Sequence, residues 1–146
     1  MTVASVTDLP PVFDGIKAVC FNAFGTLVEI TDRRGAYLPL LRALPGAARL
    51  ELKRRLMRED RATADWPAAL GIEVDGALLA RVEADIAAEL ASVRMRSGMA
   101  DILARVRDVG LPTALCSDLA SPYGPAARAL MLYFTNKFSK LAQSVQ

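Results

Sequence analysis

The chain contains no histidine. That removes Ser-His-Asp chemistry, imidazole proton shuttles and histidine metal sites together. Cysteine is almost as scarce. Cys20 and Cys116 stand far apart and make no Cys-x-x-Cys pair, which excludes zinc-ribbon and thioredoxin-type sites. Both end short apolar runs, and they are expected to be small buried core residues of a cytoplasmic protein with reduced thiols. A strong charge of one sign is also missing. The net charge is +2 and arginine is dispersed along the chain, so no nucleic-acid partner is expected. No apolar run is long enough to span a bilayer. The start, "MTVASVTDLPPVFDG", lacks the basic and apolar segments of a secretion signal, so no membrane partner is expected either.

What is present is 53% hydrophobic and 23% charged residues over 146 positions, the make-up of one globular domain with a sizeable core. Ala18–Phe21 is a short apolar run of buried-strand type, stopped by Gly25. From Gly35 to Arg96 the pattern turns helical, interrupted at Pro39 and at Pro45-Gly46. Leu78, Leu79, Val82, Ile86 and Leu90 then recur at three- and four-residue steps behind Asp75, a fitting N-cap. Ser97 caps a further helix carrying Ile102, Leu103 and Val106 on one face, and Gly110 stops it. Thr113–Cys116 is a second short strand, and Pro125 suits the first turn of a last helix. Residues 130–146, "LMLYFTNKFSKLAQSVQ", hold no arginine, aspartate or glutamate but include Lys137 and Lys140. Two readings of this tail stay open: an ordinary variable terminus, or a spliced-on or frame-shifted end.

Both strands run into a polar side chain, Asn22 after the first and Ser117-Asp118 after the second. A helix and turn lead directly into the second strand, the pattern of neighbouring parallel strands in an α/β sheet. Ligands bind beyond the carboxyl ends of such strands, so Asn22 and Ser117 are expected to face one crevice.

The motifs carry a resemblance. "FNAFGTLVEI" resembles the first motif of the haloacid dehalogenase-like hydrolases, an apolar strand followed by Asp-x-x-Gly-Thr-Leu. "TALCSDLASPYG" resembles their second, an apolar strand ending in Ser or Thr and often followed by Asn. The likeness covers roughly Ile16 to Arg128. It implies a partial Rossmann-like parallel sheet, residues 12–34 and 97–129, with an inserted helical cap over 35–96 and an atypical tail over 130–146. It also implies roles. Asn22 stands at the nucleophile position and Phe24 at the acid/base position of the phosphatases. The turn at Phe24, Gly25 and Thr26 cradles the substrate anion, with Ser117 and Asp118 beside it. Arg33, Arg34 and Arg42 of the cap are read as solvated surface residues, although cap arginines can guide an anion.

Departures from the family pattern set the functional expectation. Asn22 is an amide with no anionic lone pair to donate and little affinity for Mg²⁺. The lysine and the acidic pair that relatives place after the second motif are absent from the sequence. No cofactor is therefore expected, although phosphatase relatives use Mg²⁺. Asp118 stands where Asn is usual, and with no metal beside it a carboxylate repels an anionic substrate. Three readings stand. The chain is a truncated, catalytically silent family member, or an active hydrolase of phosphate esters or 2-haloacids whose site another chain completes. Otherwise it is an interaction module, a homo-oligomer paired through an exposed sheet edge. The helical segment from Asp75 to Val109 is expected to be its more stable part.

Overall fold

Val19–Phe21 forms strand β1 and Thr113–Leu115 forms β4, paired in parallel with Val19 opposite Thr113, Cys20 opposite Ala114 and Phe21 opposite Leu115. A computed structural model provides these coordinates and describes residues 15–130. Two backbone bonds extend the ladder at its ends, Val19 N–H to the Pro112 carbonyl at 2.9 Å and Cys116 N–H to the Phe21 carbonyl at 2.9 Å. β4 follows helix α5, Met99–Asp108, as a parallel pairing requires a crossover. The stop at Gly110 is a full Schellman turn. Gly110 takes φ +75° and bonds the Arg107 carbonyl, while Leu111 N–H reaches back to Val106. At the other end the cap is Gly98, at φ +79°, rather than the expected Ser97.

Alternation along β1 and β4 overturns one expectation. Val19, Phe21, Thr113 and Leu115 are half-buried, whereas Cys20, Ala114 and Cys116 are exposed. Only one face of this two-stranded sheet is covered, and the period of two puts both thiols on the other. Cys116 lies two residues along from the partner of Cys20, a diagonal too long for a disulfide.

The chain divides into two compact units. Among the described residues, one joins 15–29 to 93–117, and the other joins 30–92 to 118–130. The segment 118–129, expected with the sheet, clusters with the helices. A second two-stranded sheet pairs β2, Val28–Ile30, with β3, Val93–Met95, and β3 lies at the end of the stretch Gly35 to Arg96 expected to be helical. β-branched Val28, Ile30 and Val93 explain the difference, since helix α4 closes at Ala91.

The helical unit is built from α1 (Leu38–Ala43), α2 (Gly46–Arg55), α3 (Trp66–Leu70) and α4 (Gly76–Ala91). Pro39 opens α1 rather than interrupting it, because a proline in the first turn removes no intrahelical donor. Asp75 caps α4 as expected, its carboxylate accepting from Ala77 N–H at 3.0 Å. Val82 and Ile86 of α4 pack with Leu40, Leu52, Leu56 and Trp66 as the buried core. Gly124 and the residues through 130 are helical, with Pro125 in the first turn. No helix among the described residues is long and apolar enough to cross a membrane. The tail beyond 130, including Lys137 and Lys140, lies outside the described residues.

Candidate functional site

Parallel pairing of β1 with β4 sets their carboxyl ends side by side, and the two polar side chains that follow meet there. The Ser117 hydroxyl donates to Asn22 Oδ1 at 2.6 Å, joining residues 95 positions apart. Asn22 Nδ2 in turn donates to the Phe24 carbonyl at 3.1 Å. This network fixes the amide orientation. A backbone carbonyl can only accept, so nitrogen faces Phe24 and oxygen faces the serine hydroxyl. Asn22 is exposed and Ser117 half-buried.

The glycine turn closes on itself. The Ala23 carbonyl accepts from the N–H groups of Thr26 (3.4 Å), Leu27 (2.9 Å) and Val28 (3.0 Å), while Gly25 N–H donates to Val28 at 2.8 Å. Gly25 holds φ +82°, a conformation that favours glycine. Ala23 and Leu27 are wholly buried beneath the turn. Arg96, which the sequence did not single out, ties the turn down: its guanidinium donates to the Gly25 carbonyl and its backbone N–H to Leu27 at 2.9 Å. The amides of Gly25 and Thr26 thus point into the protein's own carbonyls, where the family resemblance implies an anion cradle. Phe24 is half-buried and forms a bridge with Val28, and the Thr26 hydroxyl has no hydrogen-bond partner among the described residues.

Asp118 is exposed, belongs to the helical unit, and forms no ion pair among the described residues. Arg34 is held by Asp32 at 2.9 Å and Asp85 at 3.4 Å, while Arg33 and Arg42 are exposed. The residues present do not suit the Mg²⁺ of phosphatase relatives. Asn22 offers one neutral oxygen, already bonded to Ser117, and no group of three or more His, Cys, Asp or Glu is gathered among the described residues.

A second polar cluster sits inside the helical unit. Glu89 is only 5% exposed and has no cationic partner among the described residues. Its Oε1 accepts from the backbone N–H of Arg34 at 2.8 Å and of Gly35 at 2.7 Å, and its Oε2 accepts from the Tyr123 hydroxyl. Burial, and then the Glu89 carboxylate, push the Tyr123 hydroxyl well above the usual tyrosine range. Sequence reasoning missed Glu89. The signal was its place three residues after Ile86, on the stripe that Val82 and Ile86 turn inward. Nearby, a cleft of about 490 Å³ opens within the same unit, bounded by Asp60, Thr63, Glu83, Ile86, Leu90 and Ser121. None of the site residues expected from sequence lines it.

No protein-family model, curated protein or solved structure matches the chain.

Proposed function

We propose that the chain is a haloacid dehalogenase-like hydrolase fold, a partial Rossmann-like sheet with an inserted helical cap, whose strand-end site is catalytically silent. One observation carries this reading: the 2.6 Å bond from Ser117 to Asn22 across the ends of parallel β1 and β4. In an active relative the residue at 22 attacks substrate and the hydroxyl at 117 donates to its anion. Here the hydroxyl donates to the side chain at 22, whose oxygen belongs to a neutral amide and lacks the negative charge of a carboxylate. Neither member of the Ser117–Asn22 pair offers the anionic oxygen that the nucleophile position calls for.

Restoring an aspartate does not by itself restore the site. A carboxylate at position 22 sets an oxygen against the Phe24 carbonyl, at the 3.1 Å now bridged by an N–H. That contact is repulsive, and the metal ligands are still not gathered. The test is hydrolysis of para-nitrophenyl phosphate and 2-chloropropionate, with and without Mg²⁺, by protein whose intact mass shows undeamidated Asn22. No turnover above a heat-treated control is expected for the wild type or for Asn22→Asp. Wild-type turnover that Ser117→Ala abolishes contradicts the proposal.

A second reading is favoured by the open sheet face. Cys20, Ala114 and Cys116 are exposed on a pair of strands with no third strand beside it among the described residues. Such an edge suits pairing with a second copy. Sedimentation decides: a concentration-dependent dimer supports this reading, and a monomer at all concentrations removes it.

A further inference from the structure

Helix α2 is apolar on two opposite faces. Leu52 and Leu56 are buried in the core, yet Leu50 is 70% exposed and Met57 is 51% exposed, the two most exposed large hydrophobics among the described residues. The chain stays on a helical path past Arg55. Leu56 N–H bonds the Leu52 carbonyl at 2.9 Å, and Glu59 N–H bonds Arg55 at 3.0 Å. Leu50 and Met57 therefore lie two turns apart on one solvent-facing line. Arg49 and Lys53 follow one side of that line, and Arg54 and Arg58 follow the other, each pair at i, i+4 spacing.

These cations remain largely available. Lys53 and Arg58 form no ion pair among the described residues, and Arg49 bonds only the Leu44 and Arg42 carbonyls. Arg54 alone has a carboxylate, Glu51 at 2.8 Å. Arg55, by contrast, lies over Trp66 and is paired to Glu59, so it is not part of the ridge.

We propose that this ridge, Leu50 and Met57 between Arg49, Lys53, Arg54 and Arg58, docks peripherally on an anionic lipid surface. Charge decides among occupants. A second copy meeting this face would set cations against cations. Leu50 and Met57 are exposed and the cleft of the helical unit includes none of the ridge residues, so a rigid protein partner would have to supply the whole receiving pocket. Headgroups and acyl chains instead yield around two protruding side chains, while flanking cations extend to the phosphates. The lack of a spanning helix does not bear on such contact, because an interfacial helix lies in the plane of the surface. The inference is independent of what happens at Asn22.

Flotation of the full chain with phosphatidylcholine vesicles containing about 30 mol % phosphatidylserine tests it. Binding is expected at about 0.15 M salt, weakening as salt screens the charges, with none to vesicles of phosphatidylcholine alone. Lys53→Gln and Arg58→Gln should each weaken binding about fivefold, the factor corresponding to roughly 1 kcal/mol per basic residue. Leu50→Ser with Met57→Ser should abolish it, and both sites are exposed enough for the fold to survive, which unchanged circular dichroism will show. Failure to float with anionic vesicles overturns the proposal. So does equal binding to neutral vesicles, or binding to soluble poly-glutamate in place of lipid.

Discussion

Glu59 is gripped by two guanidinium groups that also stack on one indole. Arg55 reaches it through Nε at 2.5 Å and Nη2 at 2.9 Å, Arg61 through Nη2 at 3.1 Å. Both lie over Trp66, with Cζ 5.6 and 5.3 Å from the ring centroid. Hydrogen bonding to Arg55 is the main cause that lowers the Glu59 carboxyl from its ordinary 4.5 to about 2. The sign follows from linkage: a carboxyl depressed in the folded state favours folding above pH 4.5, and that contribution fades as pH falls toward about 2. An NMR titration should place the Glu59 midpoint near 2, and Arg55→Ala should raise it toward 4.5; a wild-type midpoint near 4.5 means the grip is absent in solution. At this scale the sequence was a mixed guide. Strand-end positions 22 and 117 were legible because polar residues after apolar runs mark strand ends. The exposure of Cys20 and Cys116 was not, since an apolar run of four reads the same whether one face or two are covered.

Among the elements, α4 does most to organise the helical unit, and Glu89 is its hub. One carboxylate joins the backbone of Arg34 and Gly35 before α1, and Tyr123 after β4, to the same helix. Glu89→Ala leaves the backbone N–H groups of Arg34 and Gly35 without their acceptor and removes the Tyr123 contact, and should lower stability by about 3 kcal/mol. Chemical denaturation followed by Trp66 fluorescence measures this, because Trp66 is the single tryptophan and is buried in that unit. A loss under about 1 kcal/mol would show that water replaces the carboxylate. Helix ends such as Asp75 and Gly110 were readable from sequence because caps are local chemistry. β2 and β3 were not, because each is three residues long and gains its identity only from the other, bonded across the base of a long insertion.

Over the whole molecule burial is unevenly distributed. Among the described residues the sheet unit wholly or nearly buries Ala23, Leu27 and Val28, whereas the helical unit holds the cluster around Trp66, Leu40, Leu52 and Val82. Helix α5 contains no buried residue, and Ile102 is 40% exposed. The segment from Asp75 to Val109, expected to be the more stable part, is unevenly buried: α4 has a core behind it and α5 contains no buried residue. Hydrogen exchange should find α4 and α1 slowest, with β1, β4 and α5 opening far more readily. Equal protection in α4 and α5 would run against this. The account rests on a strand-end site in which the Asn22 amide, the Ser117 hydroxyl and the backbone N–H groups of Gly25 and Thr26 are bonded to the protein's own atoms. The most direct test is a titration with inorganic phosphate, watched by amide NMR at Asn22, Gly25, Thr26 and Ser117. The account predicts no saturable shift at these residues up to millimolar phosphate, with the Asn22 side-chain amide unmoved. A saturating shift centred on Asn22 and the Gly25 turn would contradict it, because phosphate would then be replacing the Ser117–Asn22 bond.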